Sequence, residues 1–230
     1  MSTLPGLKIC PEDGGIALDR PVTLVHNTAD PERLIIKCAR VSNQSNEDNT
    51  RFWDTGPQLM NYLIKNKHWS PFELVFMCIR IETTLDIAAQ LCRHRSFAWQ
   101  QFSCRYAKTV KAEQPSFRRQ DLKNRQNSFD DLTAEEQANA QSIANTSIDL
   151  AYDAYEALLE KGVAQETARR ILPVCTPTTL YMAGSARSFI HYLQVRTQPD
   201  TQLEHRQVAQ EIQRIFCARF PYTAEALGWC

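Results

Sequence analysis

The stretch RHRSFAWQQFSCRY, residues 93–106, gathers Arg93, His94, Arg95 and Arg105 with Ser96 and Ser103, the amides Gln100 and Gln101, and the rings of Phe97, Trp99, Phe102 and Tyr106. Its charges are not spaced as pairs along a helix, and a solvated face has no use for a tryptophan between phenylalanines. Just upstream, Leu85, Ala88, Ala89 and Cys92 recur at helical spacing, with Thr84 placed to cap that helix. The stretch therefore starts at the C-terminal end of a helix and runs out into a loop. Before the helix, LVFMCIRIE (residues 74–82) reads as a buried strand rich in branched and aromatic residues. After the stretch, residues 107–131 turn polar, with few apolar positions and one proline, an excursion of the kind that is usually functional or mobile.

Working away from that centre, PVTLVH (21–26) reads as a short strand, and Asp30-Pro31 supplies an N-cap and a first-turn proline for a helix to Arg40. PQLMNYLIKNK (57–67) is a second helix with a basic end that suits its dipole. Thr133 and Glu136 form a capping box, opening a long helix that ends near Lys161-Gly162, with Ile143, Ser147, Leu150, Ala151, Ala154 and Leu158 as its spaced positions. A helix over 164–172 stops at Pro173. TTLYMAG (178–184) reads as a strand, Ser185 caps ARSFIHYLQVR, and an amphipathic helix covers 201–219. Strands and helices mix without a βαβ rhythm. That predicts an α+β fold, one domain over residues 1–230, with a small antiparallel or mixed sheet and a long helical excursion.

Composition narrows the function. Lys+Arg and Asp+Glu are both 26, so the formal net charge is +0, without the basic excess of a binder of nucleic acid polymers. The cations of residues 93–105 are then better aimed at one anionic ligand. The 8 cysteines are scattered, with no CxxC pair, and the first residues lack the order of a signal peptide. Reduced thiols in the cytoplasm are the expectation. No apolar run approaches the roughly 20 residues of a membrane span, and the histidines show no zinc-binding spacing, so no metal is expected.

Four patches carry chemistry. Arg93, His94 and Arg95 could simply complement a helix C-terminus, but Ser103 and Arg105 lie beyond it. Bidentate guanidinium forks, hydroxyls and backbone N–H groups are what a phosphate needs. KHWSPFE (67–73) places His68, Ser70 and Glu73 around a turn. QETARRILP (165–173) carries Arg169 on a helix that could equally be a solvated face. SARSFIHYLQVR (185–196) sets Ser185, Arg187 and His191 at the start of a capped helix, an arrangement able to bind an anion.

Together the patches resemble the flavin-dependent thymidylate synthases. That family's signature is RHR, seven residues, then serine, met by Arg93-His94-Arg95 and Ser103, and CRY follows as its usual ending. HWSPFE, ARRILP and SARSFIHYLQVR resemble its other segments in the same order. The resemblance implies methylation of dUMP to dTMP, with methylenetetrahydrofolate as carbon donor, FAD as hydride carrier and NADPH as reductant. It implies Ser70, Arg93, His94, Arg95, Gln101, Ser185, Ala186, Arg187 and His191 around FAD, with Glu73 supporting them and His68 in a turn near flavin and folate. It implies Gln90, Leu91, Cys92, Arg93, Gln101, Phe102, Ser103, Cys104 (through its N–H), Arg105, Arg169 and Arg196 around dUMP. Arg196 would face the uracil N3/O4 edge as the catalytic cation. A homotetramer with shared active sites is also implied.

The sequence departs from the resemblance at Gln101, where many members have a carboxylate, and at Ser185 and His191, where many have asparagine. Serine still caps a helix and histidine still donates. Two rivals stand beside the enzyme: a nucleotide- or RNA-binding module using the arginine loop without redox chemistry, and a nucleotide hydrolase or kinase. The second lacks a GxxxxGK[ST] loop and a carboxylate pair for metal.

Overall fold

The computed structural model describes residues 21–41, 54–112 and 114–229. Its centre is an antiparallel sheet in the order β1-β2-β6-β3, built from β1 (Val22–Asn27), β2 (Phe76–Thr84), β3 (Ala98–Gln101) and β6 (Pro177–Ser185). Period-two alternation selects the faces. Met77, Ile79 and Ile81 of β2 and Leu180 and Met182 of β6 are buried in the core. The β2–β6 register runs from Phe76 opposite Ser185 to Thr84 opposite Pro177. The α+β class expected from the element pattern is what the chain adopts, and every pairing in this sheet is antiparallel.

Helices α1 (Pro31–Ala39), α2 (Gly56–Lys65), α3 (Leu85–Leu91), α6 (Ala186–Arg196), α7 (Leu203–Arg219) and α8 (Pro221–Ala226) supply the apolar side chains that close the core around that face. The long α4 (Ala134–Glu160) and the short α5 (Gln165–Ala168) follow the polar excursion. Among the described residues no helix is long and apolar enough to cross a membrane.

Several local expectations are corrected. β3 lies in what reads as loop: Ala98–Gln101 pairs along β6, so a tertiary partner, and not local propensity, makes it a strand. Leu74 ends a 3-10 turn over Ser70–Leu74, because Pro71 fits a first turn, and the strand starts at Phe76. Thr84 does not cap α3 with its side chain, which instead donates to Asp86. Asp30 likewise makes no side-chain cap, being held in a left-handed conformation at φ 43°. The expected helix over 164–172 is four residues of α5 and then a 3-10 turn, Arg169–Ile171, cut short ahead of Pro173.

The α4 capping box is present as read, Glu136 N–H donating to Thr133 Oγ1 at 3.2 Å and Thr133 N–H to Glu136 Oε2 at 2.9 Å. Its buried positions, however, are Ile148, Tyr152 and Tyr155, while Ile143 and Leu150 are 71% and 69% exposed. The polar excursion holds a two-residue ladder, β4 (Arg119–Gln120) with β5 (Ser128–Phe129). Asp121 organises its turn, accepting from Lys123 N–H, Asn124 N–H and the Asn127 amide. α8 was not expected; Pro221 opens it as a first-turn proline directly after α7.

Candidate active site

Ser185 is both the last residue of β6 and the N-cap of α6, so the strand delivers the helix N-terminus to the end of the sheet without a loop. Its Oγ accepts from Ser188 N–H at 3.3 Å and donates to Glu73 Oε2 at 2.6 Å. Arg187 Nη1 donates to the other Glu73 oxygen at 2.9 Å, and Ser188 Oγ donates to the Ser96 carbonyl at 3.2 Å. Around these groups opens a cavity of about 370 Å³ lined by Trp69, Glu73, Ser96, Arg187, Ser188, Ile190, His191 and Gln194. Glu73, Arg187 and His191 thus stand around one cavity. Ser70 is exposed at the start of the neighbouring 3-10 turn and is not part of that lining, nor is the exposed His68.

A second cavity of about 400 Å³ is lined by Leu85, Gln101, Phe102, Ser103, Cys104, Arg169, Arg170 and Leu172. The segment 101–104 and the 3-10 turn Arg169–Ile171 face each other across it, and Gln101 reaches Thr178 Oγ1 at 3.4 Å. Burial pushes the Cys104 thiol up, with the Arg169 cation acting in the opposite direction. Arg105 does not line this cavity: its Nη2 pairs with Glu166 Oε2 of α5 at 3.2 Å, both side chains half exposed. A third cavity, about 710 Å³, is walled by residues that include Glu82, Asp86, Lys111, Arg118, Gln202 and Glu204.

Between α3, α6 and α7 a polar cluster runs from the partly exposed Arg196, His94 and Gln90 into the core at Tyr192 and His205. Arg196 Nε donates to His94 Nε2 at 2.8 Å, so His94 is an acceptor there and carries its proton on Nδ1. Burial first, then Arg196, His191 and Arg93, hold its pKa down to about 4. The His94 ring meets Tyr192 edge-on with centroids 4.9 Å apart. His205, fully buried, stands between the Tyr192 hydroxyl (3.1 Å) and Gln90 Oε1 (3.3 Å). Burial and the charge of Arg196 bring its pKa to about 4 as well, and burial raises that of Tyr192.

The expected nucleotide residues are therefore not gathered in one place. Gln101, Phe102, Ser103, Cys104 and Arg169 share the second cavity, whereas Gln90 and Arg196 belong to the cluster around His94 and His205. Arg93 and Arg95 are exposed, and their side chains have no hydrogen-bond partner among the described residues. Leu91 and Ala186 are wholly buried and Cys92 partly so; Leu91 and Ala186 can offer a ligand only backbone. Sequence reasoning missed Trp69, Ile190 and Gln194 in the first cavity, Arg170 in the second, and Tyr192, Gln202 and His205 near Gln90, whereas Ser188 is readable beside Ser185 on the neighbouring turns of its helix. Ser188, Ile190 and Gln194 share the α6 segment already singled out. His205 had one signal: it falls among the apolar positions Val208, Ala209 and Ile212 of α7.

Known proteins extend this picture. The family described as thymidylate synthase complementing protein (Thy1) matches residues 23–222. A probable flavin-dependent thymidylate synthase of Paramecium bursaria Chlorella virus 1 is 44% identical, the match covering 93% of this chain and 97% of that protein. The flavin-dependent thymidylate synthase of Synechocystis sp. is 43% identical, with 93% and 98% covered. The crystal structure of a UMP/dUMP methylase, PolB from Streptomyces cacaoi, bound with 5-Br dUMP, superposes with a TM-score of 0.79 at 27% identity, covering 90% of this chain and 93% of that one. Matched along nearly its whole length, the chain belongs to the flavin-dependent thymidylate synthases.

Proposed function

We propose that this FAD-dependent methyltransferase converts dUMP to dTMP, taking its carbon from methylenetetrahydrofolate and its reducing equivalents from NADPH. The observation that carries the reading is the course of residues 93–106: Ser96 stands at the α6 cavity, and Ser103 and Cys104 line the cavity opposite Arg169. One short segment thereby reaches two anion-suited openings. The rival binding module has no use for the first of these beside a nucleotide pocket.

The first cavity fits a flavin nucleotide by its chemistry. The capped N-terminus of an eleven-residue helix, the Arg187 fork and the His191 ring suit a diphosphate, and Trp69 and Ile190 give apolar walls. Here Ser185, Arg187 and His191 would hold the group, with Ser70, His94, Arg95 and the Ala186 backbone on the flanking segments, while Gln101, which lines the second cavity of its own copy, would reach it only from a neighbouring copy. Glu73 keeps Arg187 and Ser185 aligned. When bound, FAD supplies the hydride chemistry.

The protein's own work is positioning and polarisation. Ser103, Arg105, Arg169 and the Cys104 N–H bind the phosphate dianion, Arg105 exchanging Glu166 for it. Gln90, Arg93, Gln101 and Phe102 hold the rest of the nucleotide, with the backbone at Leu91 and Cys92. Carbon 5 of uracil is a poor nucleophile. Arg196, oriented through Nε by His94, places positive charge at the N3/O4 edge and favours the electron-rich ring as carbon 5 attacks the methylene carbon. In the net change the methylene carbon parts from the folate nitrogens, tetrahydrofolate leaves, and that carbon with one hydride becomes the methyl group on carbon 5, which loses its proton.

The division of the nucleotide residues between separate regions supports sites completed by neighbouring copies, in a homotetramer. Arg93→Ala and Arg196→Ala chains, each inactive alone, then regain part of the activity when co-folded; an active monomer by light scattering excludes sharing. We place the enzyme in the cytoplasm, in keeping with the thiols of Cys38, Cys78, Cys92, Cys104 and Cys175. The deciding experiment is dTMP formation dependent on dUMP, methylenetetrahydrofolate and NADPH. In it, Arg169→Ala or Arg105→Ala weakens dUMP binding by about 1.5–3 kcal/mol and leaves FAD retention nearly unchanged. Equal loss of both ligands indicates a folding role instead.

A further inference from the structure

We infer that His205 is a positioning residue, which through a one-way hydrogen-bond relay fixes the side-chain amide of Gln90 so that one of its N–H groups stays unengaged for an acceptor oxygen of the nucleotide. The inference rests on the reading that Gln90 holds dUMP.

The direction of the relay is set by its far end. Glu204 is a carboxylate, held low by Arg118 and Gln202 against the raising effect of its burial, and bridged by Arg118 Nη1 at 2.7 Å. An ionised carboxylate only accepts. Gln202 must therefore give it an N–H, through Nε2 at 3.0 Å, which leaves Gln202 Oε1 for Gln90. That oxygen can only accept, so the Gln90 atom 2.7 Å from it is Nε2, and Gln90 Oε1 faces His205. His205 Nδ1 must then carry the proton. A neutral imidazole has one N–H, so its Nε2 is bare and accepts from the Tyr192 hydroxyl. Burial of His205 and Tyr192, both wholly inside the core, keeps the ring neutral and the phenol protonated.

No member of this chain can be reversed while Glu204 stays ionised. Gln90 uses its oxygen and one amide hydrogen internally, and its second amide hydrogen has no partner among the described residues. A free glutamine amide offers a donor and an acceptor with equal ease. This one offers a donor, suited to a nucleotide oxygen and unsuited to an N–H.

Asparagine and glutamine at position 205 separate positioning from packing. The Asn side-chain nitrogen falls where His Nδ1 lies and keeps the donor to Gln90; the Gln terminus falls where Nε2 lies and keeps only the Tyr192 partner. The measurement is steady-state dTMP formation, with flavin content and the circular dichroism melt as checks on folding. Gln90→Ala is expected to raise KM for dUMP by about tenfold, the size of one hydrogen bond. His205→Gln does the same with kcat at saturating dUMP within about threefold, whereas His205→Asn leaves KM within about threefold of the parent. If Gln90→Ala leaves KM unchanged, the assignment of Gln90 to dUMP is wrong and the inference falls with it. If Gln90→Ala raises KM but the Asn and Gln variants move it alike, His205 only packs, and the positioning role is overturned.

Discussion

Cys104 stands beside Ser103 and opposite Arg169, where a nucleophile toward the uracil ring could sit. Its thiol is buried and raised, with only partial compensation from the arginine, so it is protonated at neutral pH. What the position offers is its backbone N–H, which any residue but proline supplies. Cys104→Ala is therefore expected to keep kcat within about tenfold of the parent, or 1.4 kcal/mol of barrier. Arg196→Ala is expected to lose far more, because on the proposed reading it removes the charge at the reacting ring, and with it goes the donor to His94. A covalent adduct between Cys104 and dUMP, trapped and seen by mass spectrometry, reverses the assignment. The signature Arg93, His94, Arg95 and Ser103 was readable because its spacing does not depend on the fold. The Arg105–Glu166 pair and the direction of the Gln90 amide were not, since each depends on a side chain from a distant part of the chain.

The strand β6 and helix α6 meet at Gly184-Ser185, and Gly184 is where the sheet lets Phe97 in. A Cβ at Gly184 would lie 2.5 Å from the Phe97 ring, which itself packs on Phe189. Gly184→Ala is expected to cost about 1–3 kcal/mol by overpacking. Adding Phe97→Leu recovers part of that in a urea titration; additive losses show that the ring is not the obstacle. Beyond β1, Glu32 of α1 receives Thr223 N–H at 2.7 Å and Thr223 Oγ1 at 2.9 Å, stitching α8 to α1. Glu32→Ala strands those donors and is expected to cost about 2–4 kcal/mol, with Glu32→Gln milder because one oxygen still accepts. Helices with strong end signals, α4 and α6 above all, were legible from their caps. β3 and α8 were not: a four-residue edge strand and a single further turn are held by β6 and Glu32, partners that no local window contains.

The pH response of the folded chain follows from the buried imidazole of His205 and the half-buried one of His94. His94 and His205 both titrate near 4 in the fold against an ordinary 6.5. Above pH 6.5 both states keep these rings neutral and no stability depends on them. Below it the unfolded chain takes up protons that the fold refuses, so stability falls as pH drops from 6.5 towards 4. For His205 alone the loss between pH 6.5 and 5 is about 1.5 kcal/mol. Urea midpoints at pH 7 and 5 check this, and His205→Asn should flatten the difference; an unchanged slope in that variant assigns the loss elsewhere. The carboxylate of Glu136, held down to about 2 by Arg119 and Thr133, acts only at lower pH. How the two cavities relate was beyond the sequence, since burial and cavity walls are properties of the assembled core. Ile143 and Leu150, turned outward on α4, have a colloidal consequence. A chain of formal net charge +0 and isoelectric point near 6.9 has no long-range repulsion to hold copies apart. At neutral pH, then, added salt alters the encounter of two copies little, and moving the pH one or two units off neutrality alters it much more.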